Sequence, residues 1–345
     1  MTQDHERMAA ELLAMPDGEL FALADRACRA EFGTSVYLRG LIEATNNCAR
    51  DCAYCGIRRS NPNASRYALS DQDILDAARE GRRAGLSSFV VQGAEDPAFG
   101  TGRLAGLARL LRSELGDDVA LTLSFGTLSM SAYAELRRAG WNRYLLRFET
   151  SDPDLHLALR GSTLDRRLEA LRDLRDLGFE VGTGFMTGLP GTDEATLVRD
   201  VALTASLEPD MVGIGPFIPH PGTPLARARC RGLAPMLRAV AAVRVLLPQA
   251  NMPATTAAGS VAPDGRERAL AAGANVLMPN IGPAAHKKDY ELYPGKICLD
   301  EDGIRCMGCL SGRVASVGKR VDMGRGDSPA WLARHGRSLV AKADA

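Results

Sequence analysis

Short apolar runs alternate with stretches of helical period along most of this chain. Runs of strand character fall at residues 35–44 (SVYLRGLIEA), 87–93 (SSFVVQG), 118–126 (DVALTLSFG) and 142–150 (NRYLLRFET), then at 179–191, 210–217, 252–258 and 274–280. Between them lie helix-period stretches such as SDQDILDAAREGRRAG at 70–85 and LVRDVALTASLE at 197–208. Strands alternating with helices predict parallel pairing with helices packed outside. Eight strand candidates predict an α/β fold of the (β/α)8 TIM-barrel type. An open doubly wound sheet has the same periodicity and stays as the alternative.

The two ends depart from this rhythm. Residues 2–32 predict two short helices, with a stop at Met15-Pro16-Asp17-Gly18 and Asp17 placed to cap the second. From Pro283 onward the alternation ceases, and a tail rich in Gly, Cys and Arg reads as an extension packed on the barrel. The expected division is an N-terminal helical segment at 1–34, a barrel at 35–282 and a C-terminal extension at 283–345. In such a barrel the chemistry sits at the C-terminal strand ends and the loops that follow them. Polar or glycine-rich strand ends recur at Gln92-Gly93-Ala94-Glu95-Asp96, Arg147-Phe148-Glu149-Thr150 and Thr255-Thr256.

Charge narrows the function classes. With 42 acidic and 42 basic side chains the formal net charge is zero, which argues against a general nucleic-acid or membrane-surface role. No apolar run approaches the length of a spanning helix. The start, MTQDHERMAAELLAMPDGEL, lacks the basic head and apolar centre of a secretory signal. A cytoplasmic location is therefore expected, where eight cysteines read as thiols or metal ligands rather than disulfides.

Three of those cysteines crowd into CARDCAYC, immediately after the first strand candidate: Cys48, Cys52 and Cys55, with Tyr54 before the last. The spacing is too compact for an ordinary four-ligand zinc site. Three thiolates in one loop suit three irons of a [4Fe–4S] cluster. The fourth iron would keep an open position, which the amino and carboxylate groups of S-adenosylmethionine can fill. Zinc completed by a distant residue and chance clustering of buried thiols are the alternatives.

The pattern Cys-x3-Cys-x-aromatic-Cys resembles the radical S-adenosylmethionine superfamily, with Tyr54 in the aromatic position. IEATNNCARDCAYCGIRRSNPNASRY, QGAEDP, NRYLLRFET, MVGIGPFIPHPGTPLA, VRVLLPQANMPATTA and YPGKIC together resemble the HydE family of [FeFe]-hydrogenase maturases, from about Tyr37 to Cys309. Biotin synthase and methylornithine synthase are relatives of that family. The resemblance implies that Cys48, Cys52 and Cys55 hold the cluster. Tyr54, Glu95, Glu149, Arg167 and Met211 would then contact S-adenosylmethionine: Glu95 its methionyl amine, Glu149 its ribose or methionyl part, Arg167 its carboxylate and Met211 its adenine. By sequence alone Arg167 reads as a solvated helix charge and Met211 as barrel core. Ala94 and Phe148 depart from the glycine and histidine expected beside those glutamates.

On the substrate side the resemblance implies Gln92, Arg147, Thr255, Thr256, Tyr290 and Tyr293, a set suited to a small anionic, sulfur-containing molecule. Cys298, Cys306 and Cys309 match an auxiliary iron–sulfur site, [2Fe–2S] or [4Fe–4S], with zinc as the rival. His220, in FIPHPGTP, either lines the cavity or is a satisfied structural histidine. Cys28 and Cys230 read as ordinary thiols. The implied reaction is reductive cleavage of S-adenosylmethionine to methionine and a 5′-deoxyadenosyl radical, acting on a cysteine-bound iron carbonyl cyanide unit. The implied partners are an electron donor such as flavodoxin or ferredoxin, a tyrosine-cleaving maturase and a GTPase scaffold. Two other readings stand beside it. One is a radical reaction of the biotin synthase or methylornithine synthase type, although a biotin synthase-like auxiliary cluster would want thiols on the later strands, and none is there. The other is an iron–sulfur carrier that catalyses nothing.

Overall fold

Parallel pairing runs in chain order through Gly40–Thr45, Ser88–Gly93, Ala120–Ser124, Arg143–Leu145, Glu180–Thr183 and Met211–Val212. Bridges from Met211 to Asn251 and from Pro253 to Val276 carry the ring onward. Val276–Leu277 pairs with Ser35–Leu38, and a bridge from Leu41 to Asn280 closes the circle. The result is a (β/α)8 barrel. The computed structural model describes residues 3–299 and 303–336, with the backbone alone at 303–306.

The strands are short, and both of their faces are covered. Every residue of Gly40–Thr45 is buried, one face against the helical ring and the other toward the barrel axis. That double burial is why such strands read as continuous apolar runs instead of alternating ones. The seventh candidate, 252–258, is not a strand: it contributes one bridge at Pro253 before a helix begins at Thr256–Val261. Thr255 caps that helix, its side chain accepting from the Ala258 N–H, so hydroxyl chemistry at 255 turned the run helical.

Capping sets the helix starts. Ser70 and Asp73 form a capping box for Asp71–Arg83. Asp193 and Thr196 form another, so the helix read from 197 begins instead at Glu194. The N-terminal segment forms helices Gln3–Ala14 and Asp17–Phe32, which lie against Glu194–Leu207 and Ala234–Leu246. Asp17 does not cap the second helix. Pro16 takes that position, and the Asp17 carboxylate pairs with Arg238 instead.

The C-terminal extension serves both ends of the barrel. Arg320–Asp322 adds a parallel strand beside Ser35–Leu38. The next residues cross the N-terminal opening: Gly326 O accepts from Arg39, Asp327 from Arg143, and Ser328 N–H donates to Glu180. Arg143 and Glu180, 0% and 1% exposed, form an ion pair of 2.5 Å in that floor. At the opposite end Leu292 O accepts from Gly56 N–H, and Asp289 O accepts from the Asn46 amide. No helix among the described residues is long and apolar enough to cross a membrane.

One buried carboxyl in the helical layer gives a stability test. Asp200, 2% exposed, accepts from Ser151 N–H at 2.6 Å. Burial pushes its pKa up to about 7 although Ser151 and Thr150 hydrogen bonds oppose this. The unfolded chain releases this proton near pH 4, so stability is present below that pH and is lost as pH rises toward about 7. Asp200→Asn removes the titration. The variant's stability relative to wild type should therefore rise across that window, by up to about 4 kcal/mol, and stay flat above it. Urea unfolding of both proteins from pH 4.5 to 8 checks the sign; a difference independent of pH would refute it.

Candidate functional site

The C-terminal mouth of the barrel opens into a cavity of about 330 Å³. Cys48, Cys52 and Cys55 all line it, on the irregular loop after Gly40–Thr45. Cys52 is 6% exposed and the other two are half-buried. The loop is held from several sides: Ala49 N–H donates to Glu95 O, Ala53 N–H to Leu159 O, and Gly56 N–H to Leu292 O. Gly56 has no room for a side chain, since a Cβ there would lie 2.2 Å from Glu291 O.

The thiols feel one another. Burial first, then the negative charge of Cys52, pushes the Cys55 thiol up to about 12. Burial also raises Cys52, with Arg160 the largest opposing influence. Burial and neighbouring negative charge thus oppose ionisation of Cys52 and Cys55, and the strong cation that would offset both is what an iron–sulfur cluster supplies. Among the described residues no three His, Cys, Asp or Glu side chains converge on a single metal ion. Thiolates that bind separate irons of a cluster need not converge in that way.

Around the thiols lies a network of guanidinium and carboxylate groups. Arg160 donates to Tyr54 Oη at 2.8 Å and to Glu95 Oε1 at 3.0 Å. Arg147 donates two hydrogen bonds to Glu149 Oε2, at 3.0 and 2.5 Å. Burial raises the Glu149 pKa, but Arg147 and Arg160 outweigh it, and the carboxyl stays below its ordinary value. Glu149 has φ of 69°, a left-handed conformation costly for a side chain of this kind. The turn aims the carboxylate into the cavity. Gly126 sits across from Glu95, and a Cβ there would come within 2.3 Å of its side chain.

Arg167 differs from its neighbours. It lines the cavity at 4% exposure, its Nε is buried without a hydrogen-bond partner, and it makes no ion pair among the described residues. Burial and then the charge of Arg160 hold its pKa below the ordinary arginine value. A buried guanidinium with no ion pair among the described residues, beside a second one, is suited to bind an anion.

The remaining wall faces the barrel axis. Strand register sets Glu43 beside Gln92 and Gln92 beside Ser124. Gln92 donates to Tyr290 Oη at 3.3 Å. Thr255, Thr256, Tyr290 and Tyr293 also line this part. Lys296 descends from the extension and donates at 2.6 Å to both oxygens of Glu43, and to Tyr290 O at 3.1 Å. With its donors used in this way, Lys296 fastens residues 289–296 over the mouth.

The structure thus brings together all the cavity residues expected from the sequence except Met211. That side chain lies lower in the barrel, where its sulfur accepts from Arg39 Nη1 at 2.9 Å. From its run, Gly215, Pro216, Phe217 and Ile218 reach the cavity instead, because the chain climbs as it leaves the strand. Phe148 faces away: it is fully buried and stacks on Phe185. Ala94 lines the cavity, and its N–H donates to Thr45 O. His220 is the structural histidine, its Nδ1 accepting from Gly222 N–H and its Nε2 3.5 Å from Glu291. Of the second cysteine group, Cys298 is half-buried and Cys309 exposed, while the Cys306 side chain lies outside the described residues. Glu43, Arg50, Arg160 and Lys296 were not picked out from the sequence. Arg160 carried a readable signal, as the last residue before a helix-ending glycine in the unit that follows Glu149.

The model of the radical SAM superfamily matches residues 42–203. The chain is 42% identical over 302 residues to the [FeFe] hydrogenase maturase subunit HydE of Thermotoga maritima, covering 87% of this chain and 86% of that one. It is 28% identical to 3-methylornithine synthase of Methanosarcina acetivorans, over 75% and 73% of the two chains. Among solved structures, methylornithine synthase superposes with a TM-score of 0.80 at 24% identity, covering 92% of this chain and 94% of that one. The hydrogenase maturase HydG superposes with a TM-score of 0.78 at 18% identity, covering 95% and 74%. These last two likenesses are of fold.

Proposed function

Because the chain belongs to the HydE family of radical S-adenosylmethionine enzymes, we propose that it cleaves S-adenosylmethionine reductively in maturation of the [FeFe]-hydrogenase diiron cofactor. The observation that carries this reading is Arg167: a buried guanidinium with no ion pair among the described residues, facing the same cavity as three clustered thiols. It fits the carboxylate of the methionyl group, for which a guanidinium offers two parallel donors. Cys48, Cys52 and Cys55 would hold the [4Fe–4S] cluster. Tyr54, Glu95 and Glu149 would orient the cofactor. When bound, the reduced cluster would supply one electron to the sulfonium of S-adenosylmethionine, whose C–S bond would break to give methionine and a 5′-deoxyadenosyl radical.

The protein's own part is placement and exclusion of water. The floor built from residues 320–328 and the cover built from residues 289–296 narrow the barrel's access to solvent at its two ends, which would protect a reactive radical from competing hydrogen donors. Gln92, Arg147, Thr255, Thr256, Tyr290 and Tyr293 would bind a small anionic, sulfur-containing substrate, in this family a cysteine-bound iron carbonyl cyanide unit. A flavodoxin or ferredoxin would supply electrons, and the companion tyrosine lyase and GTPase scaffold would flank the step. Cys298, Cys306 and Cys309 would form an auxiliary iron–sulfur site peripheral to turnover.

The test is anaerobic. Protein reconstituted with iron and sulfide is given dithionite and S-adenosylmethionine, and 5′-deoxyadenosine and methionine are quantified. Equal amounts of both are expected. No product from protein with a full, reducible cluster that binds the cofactor, repeated with substrate present, would replace this reading with that of an iron–sulfur carrier.

A further inference from the structure

The segment SDPDLHLALRGS, 151–162, folds as a helix of eight residues, Pro153–Arg160. Asp152 caps its start and Gly161, with φ of 63°, ends it in a left-handed turn. A helix this short leaves its last carbonyls free for other donors. Here the cysteine loop takes them: Ala53 N–H donates to Leu159 O at 2.8 Å, and Arg50 Nη2 to Arg160 O at 3.4 Å. The last side chain returns the contact. Arg160, its side chain 12% exposed, reaches Tyr54 with one nitrogen and Glu95 with the other. Four hydrogen bonds thus join this helix end to the cysteine loop and to Glu95 after the second strand.

We propose that Arg160 is a positioning residue: it fixes Tyr54 and Glu95 against the cysteine loop, and its charge stabilises the reduced, more negative state of the cluster those cysteines hold. The proposal rests on the radical S-adenosylmethionine reading of the site. Its physical basis is that one guanidinium satisfies two acceptors from different elements, Tyr54 and Glu95, 41 positions apart in the sequence. A rigid planar fork that meets Tyr54 and Glu95 with separate nitrogens is a property of arginine that the single ammonium nitrogen of lysine does not reproduce, whereas the charge is common to both. The two roles can therefore be separated by substitution. A fixed positive charge beside an iron–sulfur cluster raises its reduction potential, because net charge and burial are the protein's levers on that potential.

The experiment uses Arg160→Met and Arg160→Lys in the full chain, reconstituted anaerobically. Iron content, the EPR-monitored midpoint potential and the S-adenosylmethionine concentration giving half the spectral change are measured. Arg160→Met is expected to show a more negative midpoint and a need for about tenfold more cofactor. Arg160→Lys is expected to recover the midpoint but not the cofactor response. A merely structural arginine would change the thermal midpoint of the apoprotein and leave both readouts at wild-type values in whatever protein loads iron; that result overturns the proposal. Should Arg160→Met fail to load iron, Arg160→Lys decides alone: wild-type potential with weakened cofactor response supports the proposal, and wild-type values for both overturn it. Absence of any cofactor-dependent spectral change in the wild type would count against the enzymatic reading itself.

Discussion

Cys52→Ala is expected to bring 5′-deoxyadenosine formation down to background, a loss of more than about a thousandfold. Cys52 is the most buried of the three clustered thiols, at 6% exposure, and lines the cavity together with Cys48 and Cys55. Its removal leaves two thiolates for a cluster that needs three, so iron content should fall with activity. The fold should not suffer. The Cys55 N–H to Cys52 O hydrogen bond is a backbone contact that alanine keeps. A buried free cysteine packs as a small apolar residue, and losing one sulfur costs about 1 kcal/mol. Iron analysis, product quantification and thermal unfolding of the apoprotein together check this. A variant that keeps wild-type product yield would rule out the three-thiolate site.

Arg167→Leu should have two effects of opposite sign. In the free protein the substitution removes a buried charge without an ion-pair partner among the described residues and relieves its repulsion with Arg160. Replacing buried ionic groups by apolar ones of similar volume is often neutral or stabilising, and here a gain of about 1–3 kcal/mol is expected. Affinity for S-adenosylmethionine should fall by roughly a hundred to a thousandfold, the usual consequence of truncating one partner of a buried charge pair. Denaturant unfolding of the apoprotein gives the first number and cofactor titration of the reconstituted protein the second. Lower stability with unchanged affinity would make Arg167 a structural cation instead.

Arg167 also shows how far the site was legible. In LDRRLEALRDLRD the charges look solvated, and Arg166 is: exposed, it pairs with Glu169. One residue on, a turn of about 100° moves the next side chain to the other face. The spacing Leu164, Arg167, Leu171, Leu174 already places Arg167 on the buried stripe. The signal was present in the helical period and was masked by the run of charges around it.

The cysteine loop and the glutamates at strand ends were legible because their geometry is local. Three thiols within eight residues must lie close together, and the residues just past a barrel strand lie at the level of the mouth. Glu43 and Lys296 had no such marker. They lie 253 positions apart, and their pairing depends on where the extension folds back. Met211 erred in the other direction: its run was recognisable, but how far the chain had climbed at that residue was not.

The sequence by itself determined the alternation of strands and helices, the cysteine spacing and the strand-end acids, since each is set by neighbours a few residues apart. Only the tertiary structure decided which charges are paired, which cavity arginine makes no ion pair among the described residues, and how the tail reaches both ends of the barrel. Those outcomes depend on contacts between distant segments, because burial in the folded chain decides which charges must find a partner.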